Sequence, residues 1–448
     1  MRFSIKSNGP FAGKARLTGD LGLTLSVMAF GMFSPHPVTI CNPSPSHEVE
    51  TLRKYLEQHG TEFNDTEDGF RISGGILNGD ITIGNDIPES VVHIIVSGAV
   101  FSGQSVRIID GLTGRIALVE FLKPVLKNTG LTDDYITGDG DDVLINGSVW
   151  APRDVVTVRS TGAFETYCAA GLAARKSVNI AFPQQTVSHS MKLVQFFGYH
   201  IAKPENGLEQ KAKLARRMSK ASGETPLETK CLKWEGRQCE KIVIPGDTTI
   251  AAALAGASSV VQKSDIVLEN VLWEQGRRGF FEALRRMKGS VDVESIHKGD
   301  FFESADLRVR WNKLEGIELS PAQAQSMITE LLILGAVAAS AHGETVVNDV
   351  KNEPGLGRDV FALLSRGLEM LGCHVGDYAD GLVLTGGNEL LGDLVDSGGR
   401  PGLALALTVA GISAAGTTTV FGIDRDIYPV NVFMNICDEL SSELTFAD

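Results

Sequence analysis

Glu330 stands between Thr329 and the apolar run Leu331–Ala341. A carboxyl buried there would hold its proton tightly and could act as a general acid; otherwise it would be tied to a backbone or arginine partner. His189 lies between Ser188 and Ser190 near an expected helix start, where it could handle protons or merely cap and pack. Arg358 follows Gly355-Leu356-Gly357, and Arg400 follows Gly398-Gly399 and precedes Pro401. Each would put a guanidinium beside a helix N-terminus, an arrangement suited to a carboxylate or phosphate. The alternatives are an ion pair of Arg358 with Asp359 or Glu353, and a solvated turn at Arg400. Arg277 and Arg278 follow Gly276 and are further anion-site candidates. Thr18-Gly19-Asp20 reads as a hinge strand with Asp20 as a candidate ligand contact. No G-x-G-x-x-G, P-loop or G-x-S-x-G motif occurs.

The elements that would carry these residues form a repeat. A short strand, a glycine-marked turn, an Ala/Leu-rich helix, a strand, a second helix ending near glycine and one or two strands recur. The clearest copy runs Lys241–Leu314. It has a strand at Lys241–Pro245, a turn and N-cap at Gly246-Asp247-Thr248-Thr249, and a helix at Ile250–Ser258. A strand at Ser264–Asn270, a helix at Gly279–Met287 and strands at Val291–Glu294 and Ala305–Arg310 follow. The copy Gly316–Gly387 opens with one long helix, Ala322–Ala341, and a shorter copy begins near Leu394. Ala15–Gly75, Gly79–Gly147 and Val155–Ala202 fit the scheme less cleanly, which makes six units. The stretch Glu205–Gly236, with Lys211, Lys213, Arg216, Arg217 and Lys220, interrupts the order as a basic insertion.

The composition agrees with a mixed α/β protein. Of 448 residues, 43% are apolar, 21% charged and 7% aromatic, and 49 are glycine. Lys plus Arg is 41 against 55 for Asp plus Glu, a net charge of −14, which argues against a nucleic-acid or anionic-membrane partner. Met1–Pro10 lacks the apolar core of a signal peptide, and no apolar run reaches the ~18 residues of a membrane span. Cys41, Cys168, Cys231, Cys239, Cys373 and Cys437 form no C-x-x-C pair, so neither a metal site nor disulfides are expected. A cytoplasmic, monomeric protein without a cofactor is expected.

Six βαβαββ units in two groups of three describe the enolpyruvyl transferase fold, and the chain resembles that family in detail, above all the enolpyruvylshikimate-phosphate synthase type. Val243-Ile-Pro-Gly-Asp247, Asn270-Val271 with Arg277-Arg278-Gly279, and Ala305–Arg310 resemble family segments. So do Leu314–Glu318, His342–Val346, Asp380–Val383 and Val409-Ala-Gly411. The resemblance implies a two-domain inverse α/β barrel with three repeats per domain, a double chain crossing and a ligand cleft between the halves. The expected domains are 19–241, and 1–18 plus 242–448. Closure about Thr18–Asp20 and Gln238–Lys241 follows from that architecture.

The resemblance also says which groups such a site should hold. Its first turn should read G-D-K-S-x-S-x-R; here Asp20 remains, while Leu21 and Ser26 take the lysine and arginine places. The second unit's G-N-x-G-T-x-x-R keeps Gly84-Asn85 and ends on Val91. The double-arginine region keeps at most Arg115, and S-S-Q becomes Thr161-Gly162-Ala163. His189 matches the histidine of S-R-D-H-T, with Val187 at the arginine. The aspartate of the D-E pair is Thr329. The catalytic glutamate's place is Gly355, with Glu353 two residues away and Arg358 aligned to the last arginine. Arg400 lies about two positions from the D-H-R arginine, and the final lysine near F-P falls on Asp426, before Tyr428-Pro429.

The resulting assignment makes Glu330, Glu353 and His189 catalytic candidates. Arg115, Thr161, Arg277, Arg358, Arg400, Asp20 and Asn85 are the candidates for binding a small anionic molecule. Three functions stay open: a carboxyvinyl transferase whose acceptor is not shikimate 3-phosphate, a different reaction on a less anionic ligand, and a non-catalytic binding or scaffold protein.

Overall fold

The computed structural model describes every residue except 8, 75–79, 85–86, 110–135, 140–141, 149–154, 159, 184–187, 203–226, 237–239, 349–357, 378–380, 442 and 448. It divides into two compact units, Met1–Asp20 with Pro245–Asp448, and Leu21–Ile244. The boundary expected at 241/242 falls at 244/245. The strand Lys241–Val243 runs parallel to Val38–Cys41, and Ile244 still donates its amide to the Cys41 carbonyl.

Among the described residues there are six four-stranded sheets, three in each unit, and all six have one pattern of strand directions, one parallel pair and two antiparallel pairs. In the three sheets whose strands follow one another in the chain, that is the pattern a βαβ crossover followed by a hairpin requires. In the sheet built from Glu318–Leu319, Gly343–Val347, Leu382–Gly386 and His374–Asp377, the first pair is parallel and the rest antiparallel. The copy beginning near Leu394 is completed by the chain's ends: Arg2–Ser7 lies between Thr418–Phe421 and Leu444–Ala447.

The strand Ala12–Arg16 runs parallel to Asp265–Glu269 of the same unit. Two expectations change. The stretch Glu205–Gly236 is not wholly an insertion. Leu227–Trp234 is the strand between Val178–Pro183 and Tyr199–Ala202, and its outward Glu228, Lys230 and Lys233 mask the buried Leu227, Cys231 and Leu232. The long helix Ala322–Ala341 is two helices, Pro321–Gln325 and Leu331–Ala338. At the break the Ser326 hydroxyl donates back to the Gln323 carbonyl (2.7 Å), and a Cβ on Gly279 would lie 2.8 Å from the Ser326 carbonyl oxygen.

The helices that face no solvent are apolar all round, as burial demands. Leu403, Leu405 and Leu407 of Pro401–Ser413 and Leu331, Leu332 and Leu334 of Leu331–Ala338 are all buried. Each such leucine contributes about 1.5–3 kcal/mol relative to exposure. Among the described residues no helix is long and apolar enough to cross a membrane. The described cysteines, Cys41, Cys168, Cys231, Cys373 and Cys437, are free and buried.

The two strand-to-helix passages at Gly19 and Gly246 pair with each other. Asp20 donates its amide to the Pro245 carbonyl (2.8 Å), and Asp247 donates to Thr18 (2.9 Å). Gly246 is also hydrogen-bonded to Asn270, and a Cβ there would sit 2.5 Å from the Leu17 Cβ, so only glycine fits this approach.

Candidate functional site

In the unit holding both chain ends, the helix Thr248–Val260 starts on Asp247. One oxygen of its carboxylate accepts the amides of Thr249 (2.8 Å) and Ile250 (3.1 Å). Such a cap contributes about 1 kcal/mol. The other oxygen accepts the Tyr428 hydroxyl at 2.5 Å. From the second residue of that helix, the Thr249 hydroxyl donates to Glu330 at 3.0 Å.

Glu330 is not inside a helix, as the sequence suggested. It is the N-cap position of Leu331–Ala338, left there by the break after Gln325. It is only 5% exposed. Burial pushes its carboxyl above the ordinary carboxylate range, and the nearby negative charge of Asp247 adds to this. The Arg277 charge and the Thr249 hydroxyl oppose it. Arg277 sits half-exposed on the single turn Gln275–Arg277. Arg278 instead donates to the Trp273 carbonyl and lies 4.9 Å from that ring's centroid. Asp20 is buried at the paired passage. The structure thus brings Glu330, Arg277 and Asp247 together around Thr249. A carboxyl with a raised pKa can donate a proton where ordinary carboxylates are already ionised.

The raised value has a definite sign in stability. Glu330 binds its proton more tightly folded than unfolded. Its contribution is therefore complete below the unfolded pKa and is lost as pH rises through the folded one. Glu330→Gln mimics the protonated form, so it should gain stability relative to wild type as pH rises through that range. Urea unfolding of both proteins across pH checks this; parallel curves would contradict it.

In the unit Leu21–Ile244, the sequence candidate His189 lies near a group that the sequence did not reveal, Glu165. Thr161 opens the helix Thr161–Ala173 behind the Ser160 cap. One turn on, Glu165 accepts the Ser190 hydroxyl (2.6 Å) and approaches His93 Nε2 at 3.2 Å. Burial pushes the Glu165 carboxyl up. The His93 hydrogen bond and charge, the His189 charge and the Ser190 hydroxyl outweigh it and hold the group below its ordinary range. No sequence motif marks His93 or Glu165, since each is an isolated side chain in a largely apolar helix. Only the packing of Glu89–Phe101 against Thr161–Ala173 joins them.

Arg400 occupies the N-cap of Pro401–Ser413, and its guanidinium donates to the Asp359 carboxylate. It is therefore not the uncommitted cation that the glycine turn suggested. The pair is largely exposed, 43% and 62%, and worth about 0–1 kcal/mol, so an incoming anion would compete with Asp359. Asn85, Arg115 and Glu353, like the side chain of Arg358, lie outside the described residues. Among the described residues no three His, Cys, Asp or Glu side chains are placed to hold a metal ion.

Comparison with known proteins agrees with this architecture. The family model described as EPSP synthase (3-phosphoshikimate 1-carboxyvinyltransferase) matches residues 222–425. The 3-phosphoshikimate 1-carboxyvinyltransferase of Carboxydothermus hydrogenoformans is 23% identical over 417 residues, 92% of each chain. The EPSP synthase of Acinetobacter baumannii has the same fold, with a TM-score of 0.80 at 19% identity over all of both chains. The enolpyruvyl transferase NikO from Streptomyces tendae superposes with a TM-score of 0.72 at 14% identity over 100% of this chain and 98% of its own. The chain thus shares the inverse α/β barrel fold of these enolpyruvyl transferases and is similar in sequence to 3-phosphoshikimate 1-carboxyvinyltransferases along nine-tenths of its length.

Proposed function

We propose that the protein is a carboxyvinyl transferase with a rebuilt site, acting on an acceptor other than shikimate 3-phosphate. The observation that carries this reading is Val91. It stands where the resemblance puts an arginine, and it is 0% exposed in the apolar helix Glu89–Phe101. A guanidinium cannot occupy that place without being desolvated, so no cation for an anionic substrate is available there. Leu21 and Ser26, in the first helix of the same unit, and the exposed Asp426 remove three more cations from the expected set. Each lost charged hydrogen bond weakens anion binding by about 1.5–3 kcal/mol. Glu330 is the acid of this reading, with Arg277 and Thr249 beside it. Arg400 and His189 are substrate-facing candidates.

The expected result with phosphoenolpyruvate and shikimate 3-phosphate is phosphate release equal to the enzyme-free blank. Turnover near 1 per second, at the low end of ordinary enzyme rates, would overturn the acceptor assignment. A different reaction on a less anionic ligand is the second reading. It is favoured by the buried carboxylates Asp20, Asp247 and Glu330 in one unit. Phosphoenolpyruvate separates the two: at 100 times its Kd a true substrate adds ~2.7 kcal/mol of stability, and no thermal shift at millimolar concentration would favour the second.

A further inference from the structure

We infer that Asp306 is a positioning residue for the site at Glu330: its carboxylate holds the bulge at Asn270 that receives the Gly246 amide, and so sets the start of the helix Thr248–Val260. The inference rests on the reading of Glu330 as the acid of the site.

Asp306 lies on Glu303–Arg310, the strand between Asp265–Leu272 and Ser290–Lys298. Both neighbouring strands bulge opposite it. On one side Leu307 pairs with Leu268 and Ala305 with Val271, so Glu269 and Asn270 together face Asp306. On the other, Leu307 pairs with Val293 and Asp306 with Ser295, which leaves Glu294 as the extra residue. The Asp306 side chain joins the two bulges. Its Oδ1 accepts the Asn270 amide at 2.9 Å. Its Oδ2 accepts the Ser295 hydroxyl at 2.6 Å and the His297 Nε2–H at 2.8 Å. Burial pushes this carboxyl up. The three donors and the His297 charge outweigh it and hold the group below its ordinary range, so it is an anion at neutral pH.

The strand-to-helix passage uses the bulge. Asn270 sits in the left-handed region at φ 66°, which asparagine tolerates better than most side chains. Turned this way, it donates its amide to Asp306, and its carbonyl accepts the Gly246 amide at 2.6 Å. The Leu272 amide donates back to the Gly246 carbonyl at 3.0 Å. Gly246 leads directly into the cap Asp247 and into Thr249, whose hydroxyl donates to Glu330 at 3.0 Å. The path from Asp306 therefore runs through Asn270, Gly246, the chain to Thr249 and the Thr249 hydroxyl. Without the Asp306 carboxylate the Asn270 amide loses a charged acceptor, the bulge relaxes, and the helix start shifts with it. The Thr249 bond favours the ionised form of Glu330, so weakening it raises the Glu330 titration midpoint.

Amide hydrogen exchange at Asn270 and Gly246 is measured together with an infrared pH titration of the protonated-carboxyl band that disappears in Glu330→Gln. Asp306→Leu should speed exchange at both amides by about tenfold or more. It should also raise the Glu330 midpoint by about half a pH unit, the direction in which Thr249→Val moves it. Asp306→Asn should restore both readouts, because an amide oxygen can accept from Asn270 while the NH2 group faces Ser295 and His297, each able to accept. Arg308→Leu, two residues along the same strand, removes the paired bonds to Asp265 (2.8 and 2.7 Å) and should leave both readouts at wild type whatever it costs in stability. An unmoved Gly246 exchange rate or Glu330 midpoint in Asp306→Leu, or an equal change in Arg308→Leu, overturns the inference. Should Asp306→Leu fail to fold, the wild type decides: the Gly246 amide proton must shift with that of Asn270 as Asp306 titrates, and a Gly246 signal that stays still also overturns it. A thermal shift by phosphoenolpyruvate that is the same in Glu330→Gln as in wild type would instead remove Glu330 from the site, with the exchange rates still readable.

Discussion

Val91→Arg is expected to cost more than about 3 kcal/mol of unfolding free energy, while Ser90→Arg, one residue away, stays within about 0.5 kcal/mol. Val91 is fully buried and Ser90 is exposed on the same helix. The helix packs against Leu21–Gly31 and Thr161–Ala173, so an arginine introduced at 91 must desolvate or tear the packing. Denaturant unfolding of the two variants measures the difference. A Val91→Arg protein as stable as wild type, with new affinity for phosphate, would mean that the position can open to a ligand. The case for a different acceptor would then lose its main support.

His93→Leu should destabilise the unit Leu21–Ile244 by about 3–5 kcal/mol. The His93 and Glu165 side chains are 12% and 9% exposed, and Glu165 keeps only Ser190 as a direct side-chain partner among the contacts named above. A carboxylate left in that place lacks its principal compensating charge. Glu165→Leu combined with His93→Leu should recover much of the loss, because apolar side chains in place of both partners leave no stranded charge. The sum of the single effects and the double variant form a cycle that isolates the coupling. The pH dependence is opposite to that of Glu330. Glu165 is held below its ordinary range, so its contribution is present above the unfolded pKa and is lost as pH falls through the folded one. Additive single effects near 1 kcal/mol would show that the two groups do not share a buried interaction.

The repeat was legible because it is written in local chemistry. Strand, glycine turn and apolar helix recur wherever the fold needs them, and the cap Asp247 and its helix could be read directly. The helix Pro401–Ser413 was legible for the same reason: an apolar face on every side has no solution but burial. Strand Leu227–Trp234 was missed because its charged residues, Glu228, Lys230 and Lys233, are as many as its buried ones and break the apolar signal. The partner of Lys241–Val243 was misplaced because a strand's own residues do not say which sheet edge it will meet.

The six-unit repeat and the resemblance to a family were readable from the residues alone, since each depends on residue type at a spacing. Only the tertiary structure decided which polar groups share a site. It broke the helix before Glu330 and set the carboxyl against Thr249 from a segment 81 residues away. It put the Tyr428 hydroxyl on Asp247 across 181 residues, joined His93 to Glu165, and gave Arg400 to Asp359. The reason is physical. Burial and hydrogen bonding act between neighbours in space, and a lone polar residue in an apolar segment has the same sequence signature whether its partner is water, the backbone or another charge.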